Sequence, residues 1–319
     1  MKRFLAKLPS TLLAPGACKG SAVRAAAAAL ARPHLAASCA RGAFTPVASV
    51  HTQPAGQAAG SSVDADEIQR FSRTAAEWWD PHGQYELLHR MNPVRIKYVR
   101  DMLQQFGGPE LARAEATTAA PFAGLRILDI GCGGGFVSEP LCRLGATVVG
   151  ADASNENIQV ATTHYRRDPA LARGPGSIDY RHTTAESLVE QEEQFDVVVA
   201  LEIIEHVNDP KQFVRTCSQL VKPEGMLIFS TINRTPASYL FTILLAEHLL
   251  RWVPVGTHTH DKYIMPEELE LYLKMAGCQP LDVSGMGYNP LLKSWTLVSK
   301  SQPGNLEMNY ILAARKSIL

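Results

Sequence analysis

The first 63 residues contain no aspartate or glutamate, although about six acidic residues are expected there at the average density of this chain. The same stretch has 18 alanines and only basic charged residues. These are Lys2, Arg3, Lys7, Lys19, Arg24, Arg32 and Arg41. An arginine-bearing start without acids is typical of mitochondrial or plastid transit peptides. We therefore expect a transit peptide and disordered segment over residues 1–63. The alternative is a disordered, alanine-rich tail that has no targeting role.

Closely spaced cysteine pairs are absent as well. The chain contains six cysteines and no Cys-x-x-Cys pair. They are Cys18, Cys39, Cys132, Cys142, Cys217 and Cys278. This wide spacing argues against a disulfide framework and against a cysteine-rich zinc site. It predicts reduced thiols in a reducing compartment.

In the remainder of the chain, acidic residues outnumber basic ones and long apolar runs are absent. Residues 64–319 contain 24 basic and 31 acidic side chains, which gives a net charge of −7. A net-acidic protein is a poor generic binder of nucleic acid, so no nucleic-acid partner is expected. No uncharged apolar run of about 18 residues occurs, so no transmembrane helix is predicted.

Short apolar segments alternate with helical patterns over most of the chain after residue 125. Residues 195–201 (FDVVVAL) form a continuous apolar run, typical of a strand buried on both faces. The other predicted strands cover residues 126–130, 147–151, 178–181, 225–231, 281–284, 295–298 and 310–313. The predicted helices cover residues 67–79, 93–106, 136–144, 155–165, 210–221 and 265–276. This alternation predicts an α/β fold with a mostly parallel, doubly wound sheet, whose ligands bind beyond the carboxyl ends of the strands.

The first of these strands ends in a glycine-rich loop that lacks two common nucleotide-binding patterns. The dinucleotide fingerprint G-x-G-x-x-G needs a third glycine where Phe136 or, in the other frame, Ser138 stands. No Gly-Lys-Ser/Thr of a phosphate loop follows either. The remaining pattern, D-x-G-x-G-x-G over residues 129–135, resembles the first motif of the Rossmann-like S-adenosylmethionine-dependent methyltransferases. Asp152 ends the second strand, where a carboxylate can accept both ribose hydroxyls. The alternative is a tight turn with a capping aspartate and no cofactor.

Three side chains that can bind a cation or a proton follow the buried strand 195–201. Glu202, Glu205 and His206 lie on one face if this turn is helical. Two carboxylates and an imidazole suit a hard divalent cation, and they also supply candidates for a general base. A structural role is the third possibility, because E-H-V-x-D-P is widespread among small-molecule methyltransferases that need no metal. The D/N-P-P-Y motif of nucleic-acid amino-methyltransferases is absent from this position.

Residues 64–319 as a whole resemble the ubiquinone-biosynthesis O-methyltransferases, in the mitochondrial branch. The glycine loop is common to the superfamily, whereas E-W-W-D at 77–80 and H-R-M-N-P-V-R at 89–95 are specific to this group. The other matching segments are Phe71 and residues 129–135, 202–207, 229–234, 253–258, 288–290 and 309–310. The resemblance implies a seven-stranded sheet, an N-terminal helical extension over 64–106 and an insert over 237–262 after the fifth strand.

The resemblance also implies roles for individual residues and a reaction. The implied S-adenosylmethionine contacts are Arg95, Gly131, Gly133, Asp152 and Leu201. The implied Mg²⁺ ligands are Glu202, Glu205 and His206, of which Glu205 and His206 are also the candidate catalytic residues. The implied acceptors are a phenolic hydroxyl of a polyprenylated dihydroxybenzoate and of a demethylubiquinol. The implied location is the matrix side of the mitochondrial inner membrane, as a peripheral protein within a multi-enzyme assembly.

The insert contains an amphipathic segment over residues 237–253 (ASYLFTILLAEHLLRWV). Glu247 and Arg251 mark one side of it, and an apolar stripe lies on the other. The stripe consists of Leu240, Phe241, Leu244, Leu245, Leu249 and Trp252. The segment is too short and too charged to cross a bilayer. It either lies in the membrane interface or packs against the core as a lid helix.

Other functions remain open on sequence grounds. A methyltransferase for another catechol-like small molecule would have no need of the apolar insert. A non-catalytic scaffold in a quinone-pathway complex would be expected to lose Asp152 or the glycines, which this chain retains. A nicotinamide dehydrogenase is disfavoured by Phe136.

Overall fold

Nine strands form a single sheet in the computed structural model, which describes residues 51–52, 61–111, 117–240, 260–298, 302 and 304–318. The strands are β1 (His51–Thr52), β2 (Arg126–Ile130), β3 (Thr147–Asp152), β4 (Ser177–His182), β5 (Phe195–Leu201), β6 (Val221–Ile232), β7 (Cys278–Asn289), β8 (Ser294–Val298) and β9 (Asn309–Lys316). Their order is β1-β4-β3-β2-β5-β6-β9-β7-β8. Neighbouring strands among the first six, β1 to β6, pair in parallel. Every pairing that involves β7, β8 or β9 is antiparallel.

The predicted α/β architecture with a mostly parallel, doubly wound sheet is confirmed. The resemblance implied seven strands, whereas the described residues form nine. The two-residue strand β1 extends one edge of the sheet, and the hairpin strand β8 extends the other. Strand β8 confirms the strand predicted over residues 295–298, whereas β1 was not predicted. Both lie at the edges, so the central strands keep the predicted arrangement.

Helices cover both faces of the sheet. They are α1 (Ala65–Arg73), α2 (Glu86–Phe106), α3 (Gly108–Leu111), α4 (Ser138–Arg143), α5 (Asn155–Arg167), α6 (Pro169–Ala172), α7 (Ala185–Glu190), α8 (Pro210–Leu220), α9 (Pro236–Ser238) and α10 (Pro266–Met275). Alternate residues of the buried strands point to opposite faces. Thus Val197 and Val199 pack in one apolar cluster with α2, α4 and α5, whereas Val198 and Ala200 pack in another with α7, α8 and α10.

The N-terminal helices differ from the predicted ranges 67–79 and 93–106. Helix α1 ends at Arg73 and is followed by a short 3₁₀ turn, and α2 begins seven residues before Pro93 and passes through it. Proline lacks the N–H that a helix interior requires, so the sequence pattern favoured a helix start at that position. Burial of Met91, Tyr98 and Val99 along one side of α2 stabilises the longer helix, because tertiary packing outweighs local propensity.

The strand order reverses at β2, which places three loops at one edge of the sheet. Strand β2 pairs with β3 on one side and with β5 on the other. The chain runs outward from β2 through β3 to β4 and returns to β5. The carboxyl ends of β2, β3 and β5 therefore flank a crevice of the kind that binds ligands in open α/β sheets.

Several predictions concern residues outside the described part of the chain. Residues 1–50 and 53–60 of the predicted transit segment lie there, as do residues 241–259 of the predicted insert. Within the described ranges, no helix is long and apolar enough to cross a membrane. Cysteines 132, 142, 217 and 278 are buried and unpaired, as predicted for this part of the chain.

Candidate active site

The glycine loop at the end of β2 leaves no room for a side chain at two of its positions, Gly131 and Gly133. Gly133 has a φ of +53°, and a Cβ atom there would lie 2.5 Å from Cζ2 of Trp78. Gly131 has a φ of +72°, and a Cβ atom there would lie 2.7 Å from Cγ1 of Ile203. Glycine adopts this left-handed conformation without the steric penalty of other residues. The loop therefore lies directly against Trp78 from the N-terminal extension.

Asp152 connects the glycine loop to the start of α5. Its Oδ2 accepts the N–H of Gly133 at 2.9 Å, and its Oδ1 accepts the N–H of Ser154 at 2.8 Å and Nδ2 of Asn157 at 3.2 Å. Burial raises the pKa of Asp152, and these donors oppose the shift. The carboxylate therefore presents fixed acceptor oxygens beside the loop.

A cavity brings together residues from the three loops and from the N-terminal extension. The predicted site residues that line it are Gly131, Gly133, Asp152, Glu202 and His206. The extension contributes Asp64, Glu67, Ile68, Phe71 and Trp78. The predicted residues Arg95, Leu201 and Glu205 are buried next to these loops but do not belong to the described lining. The structure thus gathers five of the eight predicted residues around one cavity.

Arg95 is a buried charge next to the loops of the site. The side chain extends from α2 and is 3% exposed. Burial lowers its pKa, and the carboxylates of Glu202, Asp129 and Glu205 oppose that shift. Its Nε has no hydrogen-bond partner among the described residues. A buried guanidinium donor without a partner is costly, and it suits a ligand that carries a carboxylate.

Glu202 and Glu205 are held by hydroxyl and amide donors of the neighbouring strands. Glu202 has a φ of +55°; its Oε1 accepts Ser230 Oγ at 2.6 Å, and its Oε2 accepts Asn309 Nδ2 at 3.2 Å. Oε2 of Glu205 accepts Thr231 Oγ1 at 2.9 Å. Burial and the nearby charge of Glu202 raise the pKa of Glu205.

The helical turn that would align the three predicted Mg²⁺ ligands is not present. The left-handed backbone of Glu202 prevents a regular helix there, and only a 3₁₀ turn over Ile204–His206 follows. His206 faces Glu67 of α1 instead, with Nδ1 3.2 Å from Oε2. In the described ranges, no group of three His, Cys, Asp or Glu side chains is placed to hold a metal. The donor types suit Mg²⁺, but their arrangement does not fit the implied metal site.

Sequence reasoning missed Glu67 and the contact made by Trp78. Glu67 lies 139 residues before His206, so no local pattern connects them. The only available signal was the spacing of Asp64, Glu67 and Arg70, which places three charged side chains along one side of α1. Trp78 packs with Ala75, Tyr85 and Phe136 in a buried apolar cluster, and the structure also places it against the glycine loop.

Comparison with solved structures supports the fold. A crystal structure of an S-adenosylmethionine-dependent methyltransferase from Thermotoga maritima, described as a possible histamine N-methyltransferase, matches with a TM-score of 0.50. The match covers 79% of this chain and 99% of that chain at 16% sequence identity. Similarity at this level concerns the fold alone.

Sequence relatives are much more similar. A family model described as a methyltransferase domain matches residues 128–229. A ubiquinone biosynthesis O-methyltransferase of Ruegeria sp. (strain TM1040) is 48% identical over 261 residues, which are 82% of this chain and 100% of that protein. Another from Sinorhizobium fredii (strain NBRC 101917 / NGR234) is 44% identical and covers 82% of this chain and 99% of its own length. The chain belongs to the ubiquinone biosynthesis O-methyltransferase family.

Membership of this family makes the protein an S-adenosylmethionine-dependent O-methyltransferase. The site fits that cofactor in three respects. The glycine loop exposes backbone beside the cavity, the carboxylate of Asp152 lines it, and the buried Nε of Arg95 lacks a partner. Hydroxyl groups and a carboxylate of a bound ligand complement these acceptors and donors.

Replacement of Gly133 by alanine tests the contact between the glycine loop and Trp78. The added methyl group clashes with the indole, so we expect G133A to raise the Kd for S-adenosylmethionine by at least about tenfold, or 1.4 kcal/mol. Isothermal titration calorimetry measures this change. Gly277 provides a matched control, because it has a φ of +75° and open space around its Cα.

G277A incurs a similar left-handed backbone penalty, about 1–2 kcal/mol, without a clash near the cavity. We therefore expect both variants to lose stability and only G133A to lose cofactor affinity. Equal affinity loss in the two variants would show that general destabilisation, not the loop contact, is responsible.

The buried carboxyl group of Asp129 predicts a pH dependence of stability. Burial raises its pKa from 3.8 to about 6, although Ser138 and Arg95 oppose the shift. The folded chain therefore binds this proton more tightly than the unfolded chain. The resulting stabilisation is complete below about pH 4 and is lost as the pH rises to about 6.

D129N keeps the shape of the neutral acid and cannot ionise. The stability of D129N relative to the wild type should therefore rise by about 3 kcal/mol between pH 4 and pH 7, at 1.36 kcal/mol per pKa unit. Denaturant unfolding at the two pH values measures the difference. A stability difference that stays constant with pH would contradict the raised pKa.

Proposed function

We propose that the chain transfers a methyl group from S-adenosylmethionine to a phenolic hydroxyl of a polyprenylated dihydroxybenzoate and of a demethylubiquinol. The observation that carries this proposal is the 48% identity to a ubiquinone biosynthesis O-methyltransferase along that protein's whole length. The cavity at the carboxyl ends of β2, β3 and β5 supports it, because it joins the candidate cofactor loop to His206.

The proposed cofactor contacts follow from the donors and acceptors at the cavity. Asp152 accepts the ribose hydroxyls, and the backbone of Gly131 and Gly133 borders the cofactor. Arg95 donates to its carboxylate from the buried side of α2, and Leu201 contributes an apolar contact at the end of β5. When bound, S-adenosylmethionine supplies an electrophilic methyl group on a positively charged sulfur.

The remaining chemical requirement is removal of a proton from the acceptor. A phenol has a pKa near 10, so its deprotonation at pH 7 costs about 4 kcal/mol at 1.36 kcal/mol per pKa unit. His206 lines the cavity and is the proposed proton acceptor. Positioning of the two reactants in one complex supplies a further part of the acceleration. Glu205 lies in the same 3₁₀ turn and is buried.

A requirement for Mg²⁺ is a separate proposal. It follows from the resemblance of Glu202, Glu205 and His206 to the metal ligands of the family. Their donor chemistry supports it, whereas their arrangement in this structure does not. We therefore assign no step of the reaction to the metal.

A methyl-transfer assay with the full chain tests the proposed acceptors. Labelled S-adenosylmethionine is incubated with a short-chain demethylubiquinol, a short-chain polyprenyl dihydroxybenzoate, or catechol as a matched control without a prenyl tail. We expect transfer to the first two and much less to catechol, because an apolar tail is part of the proposed substrate. Transfer to catechol alone would assign the enzyme to soluble catechols.

The same assay, repeated after chelation and again after addition of Mg²⁺, tests the metal. Activity that is lost on chelation and restored by Mg²⁺ supports the metal proposal. Full activity in the chelated enzyme would exclude it and leave His206 as the sole proposed proton acceptor.

We also propose that the protein is a peripheral component of a multi-enzyme assembly on the matrix side of the mitochondrial inner membrane. The acid-free composition of residues 1–63 supports this location. Incubation of the full chain with isolated mitochondria is expected to remove an N-terminal segment and protect the remainder from added protease. A chain that stays at full length and remains protease-sensitive would contradict the location.

A further inference from the structure

The indole of Trp78 is held firmly between the N-terminal extension and the glycine loop. Trp78 follows the short 3₁₀ turn of the extension and is 8% exposed. Its ring stacks on that of Tyr85 at a centroid distance of 3.9 Å, and the ring of Phe136 meets it edge-on at 5.2 Å. The indole also lies against Gly133. These contacts fix the ring, and with it the direction of its single N–H.

This N–H determines the orientation of a buried amide in the first turn of α5. Nε1 of Trp78 donates to Oδ1 of Asn157 at 2.8 Å, and Nδ2 of Asn157 donates to Oδ1 of Asp152 at 3.2 Å. An indole N–H only donates and a carboxylate only accepts, so both partners require the same orientation of the amide. A reversed amide would place two donors together at Trp78 and two acceptors together at Asp152. The hydrogen-bond chain therefore has one direction, from the indole to the carboxylate.

The amide of Asn157 adds a third fixed donor to the carboxylate of Asp152. The N–H of Gly133 already donates to Oδ2, and the N–H of Ser154 donates to Oδ1. With donors on both oxygens, the plane of the carboxylate cannot rotate without breaking a hydrogen bond. A vicinal diol such as that of a ribose needs two acceptor oxygens in a defined orientation. Asp152, Asn157 and Trp78 all line the cavity where such a ligand would bind.

We propose that Trp78 is a positioning residue for S-adenosylmethionine, which acts through Asn157 to hold the carboxylate of Asp152 in the orientation that accepts the ribose hydroxyls. This inference rests on the proposed contact between Asp152 and the ribose. It gives a residue of the N-terminal extension a role in recognition of the cofactor, at its ribose and not at its methyl group.

Two ligands and one conservative variant of the full chain test the proposal by isothermal titration calorimetry. The ligands are S-adenosylhomocysteine and its analogue that lacks both ribose hydroxyls. W78F keeps an aromatic ring but loses the N–H. We expect it to raise the Kd for S-adenosylhomocysteine about three- to tenfold, the range of one net hydrogen bond. The Kd for the analogue should stay within about twofold of the wild type, because no hydroxyl is left to detect the orientation of the carboxylate.

W79F is the matched control. Nε1 of Trp79 donates to the carbonyl oxygen of Gly134 at 2.9 Å, so this variant loses an indole hydrogen bond to the glycine loop and leaves Asn157 untouched. We expect W79F to change the Kd of the two ligands by the same factor. An equal factor for the two ligands in W78F would overturn the proposal, because the loss would then be a general effect on the loop.

A double-mutant cycle tests whether Trp78 acts through Asn157. Adding W78F to N157A should change the Kd for S-adenosylhomocysteine by less than about twofold, because the connecting amide is already absent. An undiminished effect of W78F in the N157A background would overturn the proposal. Thermal unfolding shows whether each variant is folded. If W78F is not, N157A alone carries the comparison, and a loss of affinity for both ligands would contradict the role of the amide.

The wild type distinguishes this proposal from the proposed cofactor contact. It should bind S-adenosylhomocysteine at least about tenfold more tightly than the analogue, since Asp152 accepts the hydroxyls. Equal binding of the two ligands would show that Asp152 does not contact the ribose, and Trp78 would then have no contact to position. If the wild type discriminates between the ligands and W78F discriminates equally well, only the role of Trp78 fails.

Discussion

The buried guanidinium of Arg95 compensates the charge of carboxylates from two different loops of the site. It extends from α2 toward Asp129 in β2 and toward Glu202 and Glu205 after β5. Asp129 and Glu205 are buried and Glu202 is half-buried. The guanidinium is a favourable partner for them, because a buried charge without a partner loses its hydration. Arg95 therefore links α2 electrostatically to the carboxyl ends of β2 and β5. Because Asp129 directly precedes the glycine loop, the same interaction also links α2 to the start of that loop.

The N-terminal extension completes the site from the opposite side. Trp78 of the extension donates to Asn157 at 2.8 Å while its ring lies on the glycine loop. Just before the extension, the carbonyl groups of Ser62 and Val63 accept hydrogen bonds from Asn208. The Rossmann-like core alone provides the loops, whereas the extension provides much of the cavity wall. A site of this kind excludes water better than an open sheet edge, which strengthens the electrostatic interactions inside it.

Local patterns in the sequence were sufficient to predict the sheet, the glycine loop and the position of Asp152. Strand periodicity and glycine spacing can be read from neighbouring residues alone. Local patterns were insufficient where contacts between residues distant in the sequence determine the structure. The path of α2 through Pro93 depends on packing against the sheet, and the partner of His206 comes from α1. The alignment of Glu202 with His206 was wrong because it assumed a helical turn, and the backbone of Glu202 is left-handed instead.

The contact between α1 and the 3₁₀ turn at His206 also has a consequence during synthesis. Glu67 leaves the ribosome 139 residues before His206. At about 5–20 residues per second, α1 therefore waits roughly 7–28 s before its partner has been made. During that interval Phe71 can pack against Ala75, Trp78 and Tyr85, but the imidazole of His206 is still missing. A nascent chain of this protein therefore carries the α1 sequence for that interval without the 3₁₀ turn that it contacts in the finished fold.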